Sequence, residues 1–324
     1  MEASDTLGVV GEGAVLARIF PRLPSASAEL LGPGDDAAVV AAPDGRFVVT
    51  TDMMIHGPDF RLAWSEPFDL GWKAAASNLS DVAAMGAVPS ALLVAIAAPT
   101  DSPVTLLEGI ADGLRDACEA LSPGCGVVGG DLSVSSTLTI AVTAFGDLEG
   151  RAPVLRSGAQ VGDVVTVAGV LGEAAAGLRL LFERATTDGE PDELLAGELR
   201  REFKHLVLAQ LAPRPPIGHG VLAAVAGATA MLDLSDGLAL DARRLAKASG
   251  VALDLDPGAI GSREALDGGE DHSLLATFPA DAALPDGFRV IGRVVTGEGV
   301  LVSGQPYESA GGWDPYTGWN GAAG

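Results

Sequence analysis

With 324 residues, 48% of them hydrophobic, the chain is long enough to bury the cores of about two domains, and this excludes disorder as its default state. The 43 acidic residues against 20 basic ones leave a net charge of −23, which repels nucleic-acid phosphates and anionic lipid surfaces and disfavours a role on either. Lysine occurs only at Lys73, Lys204 and Lys247, so an anionic substrate would have to be neutralised by metal cations more than by ammonium groups.

The amino terminus, MEASDTLGVVGEG, is acidic and has no basic region followed by an apolar stretch, so no secretory signal is expected. Short apolar runs then alternate with longer helical patterns, as in an α/β or α+β fold. Strands are predicted at 37–41 and 46–51. Ser65 followed by Glu66 and Pro67 reads as an N-cap with proline in the first turn, opening a helix that reaches about Met85 and stops at Gly86. The most apolar stretch, 91–98, lies within a predicted strand at 90–97 and is far too short to span a bilayer. A helix over 104–121 and strands at 126–128 and 137–145 follow. Cys118 and Cys125 are the only cysteines, too few for a disulfide framework and without zinc-ribbon spacing, so free thiols in a reducing cytoplasm are expected.

The charged, glycine- and proline-containing segment 149–162 places a domain boundary near residue 150, giving domains 1–150 and 151–324. Beyond it the pattern predicts a strand at 164–168, a helix after Gly172, a polar surface loop at 186–193, and strands at 229–233, 251–255, 273–278 and 288–294. The tail GGWDPYTGWNGAAG is expected to pack a tryptophan before fraying.

No G-x-x-x-x-G-K-[ST] occurs, so a P-loop is excluded. Gly124-Cys-Gly126-Val-Val-Gly129 matches G-x-G-x-x-G, but it follows LSP and leads into GDLSVSS, so it reads as a turn feeding a strand. The histidines at 56, 205, 219 and 272 show no metal-ligand spacing. What remains is a set of aspartates at element ends: Asp35 and Asp36, Asp52, Asp131, Asp233 and Asp236, with Asp81 on the helix. Beyond the carboxyl ends of strands is where ligands gather in open α/β sheets. Lys73, Ser77 and Asp81 share a helix face at i, i+4 spacing, with Asn78 beside Asp81. Any one such aspartate ordinarily caps a helix, makes a turn or faces water, and Asp236 before Gly237 has the place of an N-cap. If several converge, each close pair repels by about 4 kcal/mol at 4 Å and moderate dielectric, and hard cations such as Mg²⁺ answer that repulsion.

The segments GPGDDAAVV (32–40), TTDMMIHGPDF (50–60), KAAASNLSDVAAMGAVP (73–89), VVGGDLS (127–133), LRSGAQVGD (155–163), LDLSDG (232–237) and GGEDH (268–272) together resemble the thiamine-monophosphate kinase family, within the aminoimidazole ribonucleotide synthetase-like superfamily. The resemblance spans nearly the whole chain in order. It implies two α/β domains, amino-terminal domains pairing as a sheet or barrel in a homodimer, and ATP in a cleft. It also implies roles: Asp36, Thr50, Thr51, Asp52, Asp81, Asp131, Asp233 and Asp236 as ligands of several Mg²⁺ ions; Gly130, Asp131, Arg156 and Ser235 on ATP; and Asp59, Glu270 and Trp313 on thiamine monophosphate. One position departs: the family has histidine where this chain has Asp59, with His56 three residues earlier. The expected reaction is in-line transfer of the ATP γ-phosphoryl group to thiamine monophosphate, Arg156 adding a fixed cation. The competing readings are another ATP-using enzyme of the superfamily and a non-catalytic nucleotide-binding homologue.

Overall fold

The computed structural model describes residues 5–32 and 38–309. Four strands organise the first half: β1 (Val48–Ile55), β2 (Val88–Ala98), β3 (Val127–Val134) and β4 (Thr139–Asp147), in the order β1-β4-β2-β3. β4 is antiparallel to β1 and to β2, whereas β2 and β3 are parallel. A parallel pair needs a crossover, and the helix α2 (Val104–Leu121) provides it. The helix α1 (Pro67–Ala84) joins β1 to β2.

Period-two alternation divides the sheet. Ile140, Val142 and Ala144 of β4 are buried beneath the helices, while Thr139, Ala141, Thr143 and Phe145 occupy the opposite, half-exposed face. Val49 and Met53, paired with Phe145 and Ala141, share that outer face and are 59% and 58% exposed. On the inner face α1 and α2 approach until their backbones touch. A methyl added at Gly71 would lie 1.9 Å from the Ile110 carbonyl oxygen, and one at Gly113 2.0 Å from that of Phe68.

α1 is buried from Asp69 through Ser80, as befits a helix of small side chains enclosed on several sides. Its N-cap is Glu66, not Ser65: Glu66 and Asp69 form a capping box, with the Glu66 amide donating to Asp69 Oδ2 at 2.9 Å. Ser65 is drawn off into a turn, its amide donating to the Arg61 carbonyl.

The second half is a seven-stranded sheet. Its strands are β5 (Val164–Ala168), β6 (Ala230–Leu234), β7 (Ala252–Leu255), β8 (Ser273–Phe278), β9 (Phe288–Val295), β10 (Gly299–Val302) and β11 (Gln305–Pro306), in the order β6-β8-β5-β9-β7-β10-β11. Only β7 and β10 run parallel. The helix α4 (Leu238–Ser249) covers one face through Leu238, Ala242 and Leu245 over Leu232 and Leu253. On the other, the helix Ile217–Val225 joins Met231, Leu274 and Phe278 to Ala84 of α1. A third cluster packs the helix α3 (Glu173–Arg184) with the helices Glu193–Glu202 and Lys204–Leu211 and with Trp64.

Several boundaries differ from expectation. The strand predicted at 126–128 runs to Val134, because pairing with β2 carries the chain through Gly129, Gly130 and Asp131 despite their weak strand preference. β1 likewise continues past Thr51 to Ile55, and the loop at 186–193 closes as a two-plus-two hairpin before the next helix begins. Cys118 and Cys125 are buried and free. No helix among the described residues is long and apolar enough to cross a membrane.

Candidate active site

An open cleft of about 520 Å³ separates the two sheets, bordered by β1, α1, α3 and the loops at 235–236 and 269–272. One stripe of α1 forms its floor. Lys73 Nζ contacts Glu270 Oε2 at 2.6 Å and donates to the Gln210 carbonyl at 3.1 Å. One turn on, Ser77 Oγ lies 3.2 Å from His272 Nε2, and Ser80 Oγ donates to the His272 carbonyl. Asn78 Oδ1 accepts the Asp52 amide at 3.2 Å, and Asp81 Oδ2 accepts from Thr50 Oγ1 at 2.8 Å. The i, i+4 face read in the sequence is thus the seam along which both halves meet.

Across the seam, β6 contributes Asp233, whose Oδ2 is 3.3 Å from His272 Nδ1. The loop after β6 is clamped from α4. Asp241 Oδ2 accepts the Asp236 amide at 3.0 Å, and Arg244 bridges Asp236 and Asp241 at 2.5 and 2.6 Å. Asp236 is therefore not the N-cap of α4. Gly237 takes that place, and its φ of 117° turns the chain so that the Asp236 carboxylate meets Arg244 instead. Glu270 and His272 hold left-handed backbone at φ 71° and 50°, fixed by their amides donating to the Ser235 and Leu234 carbonyls.

The field in the cleft is strongly anionic. Burial raises the Asp81 carboxyl to about 7, with Asp233 and Asp52 adding repulsion that Thr50 and His272 only partly offset. Asp52 is raised for the same first reason, burial, with Asp233, Glu270 and Asp236 pushing further. Burial would depress His272, but its contact with Asp233 and the charges of Glu270 and Asp233 outweigh it and lift it to about 9. Glu270 is held down despite its burial by Lys73 and His272.

These donors are hard oxygens whose repulsion a cation would relieve. Among the described residues no three His, Cys, Asp or Glu side chains are grouped tightly enough to cage an ion alone.

Of the residues singled out from sequence, Thr50, Asp52, Asp81, Asp233, Asp236, Ser235, Asp59 and Glu270 come together around this cleft. Asp59 lies on its wall, with Oδ2 accepting the Ile55 amide at 2.7 Å, while His56 packs beside Phe60. Thr51 is not brought in: its hydroxyl bonds the Val142 carbonyl and Thr143 on the outer face of the sheet. Asp131 sits in the row of Met53, Ala141 and Ala95, on that same outer face and three strands from β1. Gly130 beside it must be glycine, since a methyl there would lie 1.9 Å from the Val94 carbonyl oxygen. Arg156 is exposed, away from the cleft lining, and its carbonyl accepts from Ser249 Oγ. Asp36 and Trp313 lie outside the described residues.

Residues 34–148 match the family model "AIR synthase related protein, N-terminal domain". Over 331 aligned positions, covering 97% of this chain and 94% of the relative, the chain is 44% identical to thiamine-monophosphate kinase of Mycobacterium tuberculosis. The chain belongs to the thiamine-monophosphate kinase family. The crystal structure of thiamine monophosphate kinase from Aquifex aeolicus superposes with a TM-score of 0.70 at 35% identity, covering 83% of this chain and 91% of that one. A structure of AaThiL complexed with AMPPCP and TMP gives 0.70 at 32% identity over 94% and 96% of the two chains.

Within this thiamine-monophosphate kinase fold, two residues of the cleft lining, Lys73 and His272, and one buried behind it, Asp241, were absent from the site predicted by sequence. Lys73 and His272 were visible only as a rare lysine on a polar helix face and as the end of GGEDH. Asp241 carried the fainter signal of a carboxylate one turn into a helix and three residues before Arg244; buried to 2% exposure, it is raised to about 6, first by burial and then by Asp233.

Proposed function

We propose that the protein transfers the γ-phosphoryl group of ATP to thiamine monophosphate, giving thiamine diphosphate and ADP. The observation that carries this is a cleft in which Asp52, Asp81, Asp233 and Asp236 converge, with no P-loop in the chain, in a fold whose relative binds AMPPCP and TMP together. The acceptor is itself an anionic phosphate, so no general base is needed to make it nucleophilic. Positioning and charge compensation dominate such a transfer.

Asp52, Asp81, Asp233 and Asp236, with Asp36, would hold Mg²⁺, which when bound supplies the positive charge that lets two polyanions approach. Thr50 orients the Asp81 carboxylate, and Asn78 fixes the backbone at Asp52. His272 holds Asp233 from behind, and Asp241 with Arg244 holds the loop carrying Asp236. Lys73 positions Glu270 and keeps it ionised beside the acceptor's place. The same reading takes 1–150 and 151–324 as two domains. It makes the protein a homodimer through the outer face of the first sheet, where Val49 and Met53 are exposed. It places the reaction in the cytoplasm, where ATP and Mg²⁺ are supplied.

Incubation with ATP, Mg²⁺ and thiamine monophosphate, followed by chromatography, should yield thiamine diphosphate in step with ADP. Nucleotide binding without either product would favour a non-catalytic homologue.

A further inference from the structure

One charged residue of GGEDH stands outside the cleft. Gly269, Glu270 and His272 line it, whereas Asp271 does not and is only 6% exposed. The Asp271 carboxylate accepts the amides of Gly172 and Ala174 at 2.5 and 2.9 Å, at the start of α3. The N-cap there is Gly172, which has no side chain to close the helix end. The cap comes instead from 97 residues beyond Ala174, and it sets a carboxylate against the positive end of the helix dipole. From Glu270 to Ser273, successive side chains alternate between two bodies. Glu270 and His272 reach Lys73 and Ser77 of α1 and Asp233 of β6. Asp271 and Ser273 reach the turn into α3, Ser273 Oγ donating to the Val170 carbonyl at 2.6 Å. The packing here is close: a methyl at Gly172 would lie 2.5 Å from the Ala265 amide nitrogen, and one at Gly268 2.3 Å from Ala175 Cβ.

We propose that Asp271, assisted by Ser273, is a positioning residue: it ties the 268–272 loop to α3 and so holds the Glu270 carboxylate where the acceptor meets it, without touching either substrate. The inference rests on the kinase reading, in which Glu270 stands beside the acceptor. Glu270 and His272, on either side of Asp271, both hold left-handed backbone, which persists only where the surroundings over-determine it. Glu270 has no strand to hold it. Its fixed points are its amide on the Ser235 carbonyl, the Lys73 contact and the adjacent Asp271 cap. Asp233, among the carboxylates assigned to the metal, is instead held by strand pairing with Leu274 of β8, whatever the loop does. Loosening the cap therefore acts on the acceptor and spares the nucleotide.

The test compares wild type, Asp271→Asn, Glu270→Gln and the double variant, with KM measured for each substrate alongside thermal melts. Asn keeps the volume, but its NH₂ group faces an amide from which it cannot accept, so one of the two bonds is lost. Asp271→Asn should raise KM for thiamine monophosphate roughly tenfold and leave KM for ATP within about twofold. In the Glu270→Gln background the carboxylate being positioned is gone, and the same substitution should change KM for thiamine monophosphate by less than about threefold. An equal rise in both backgrounds would mean that Asp271 does not act through Glu270, and would overturn the assignment. An unchanged KM for thiamine monophosphate would overturn it too, as would losses for both substrates that track the melting temperature. If Asp271→Asn or the double variant does not fold, Ser273→Ala carries the test, since it cuts the second tie and keeps the helix cap. It should raise KM for thiamine monophosphate about threefold, and an unchanged value would overturn the proposal. Wild type that forms no thiamine diphosphate would instead overturn the kinase reading, in an arm measured before any variant.

Discussion

Replacing Asp81 by Asn should make the metal-free protein more stable and the enzyme inactive. The carboxyl is raised from 3.8 to about 7 by burial and by the nearby charges of Asp233 and Asp52. Unfolded, it ionises near 3.8; folded, it resists ionisation until about 7. Folding therefore suffers no penalty from this group below about pH 4, an increasing one up to about pH 7, and the full penalty above. The gap amounts to at most about 4 kcal/mol, and solvent in the open cleft reduces it to roughly 1–3 kcal/mol. Asn preserves the shape, and its oxygen can still accept the Thr50 hydroxyl bond. Urea unfolding in chelator at pH 8 should show the variant more stable by that amount, and the gain should vanish at pH 4. With Mg²⁺ and ATP present the ranking of usefulness reverses, because the charge that strains the empty protein is the one a cation requires. A variant no more stable than wild type at pH 8 would refute the claim that burial and the neighbouring carboxylates disfavour an ionised Asp81 in the folded chain.

Lys73→Met should destabilise by roughly 1–3 kcal/mol, less than for a fully buried pair because the Glu270 side chain is 33% exposed, and adding Glu270→Gln should recover much of the loss in thermal melts. His272 is raised above its ordinary 6.5 to about 9, so its stabilising contribution is complete below about pH 6.5 and lost as pH climbs to about 9. Metal-free wild type should lose melting temperature across that window, and His272→Gln should show a flatter profile. Thr50→Val, which removes the donor to Asp81, should raise the Mg²⁺ concentration needed for half-maximal activity, whereas Thr51→Val, altering the outer face, should not.

The sequence read well where local chemistry decided the outcome. Pro67 and Gly86 bounded α1, the apolar runs at 164–168 and 273–278 became strands at those residues, and the stripe Lys73, Ser77, Asp81 became the seam. Asp52, Asp81, Asp233 and Asp236 do come together, but not in the way that reading placed them. Both sheets are largely antiparallel; Asp52 lies mid-strand and points from a sheet face, whereas Asp233 is the penultimate residue of β6, close to its carboxyl end. The period of two already separates Thr50 and Asp52 from Thr51, so the exclusion of Thr51 was legible without coordinates. Partners far apart in sequence were not: nothing local couples Lys73 to Glu270 or Ser77 to His272. The Asp236 clamp was hidden because Gly237, not Asp236, turns the chain into α4.

The most direct test of the central claim follows the phosphoryl group itself. With γ-labelled ATP, Mg²⁺ and thiamine monophosphate, the label should appear in thiamine diphosphate with one ADP formed for each, and Asp52→Asn, folded by its circular dichroism, should lose this transfer. Label released only as inorganic phosphate, or transfer undiminished in Asp52→Asn, would contradict a carboxylate-built site for direct transfer.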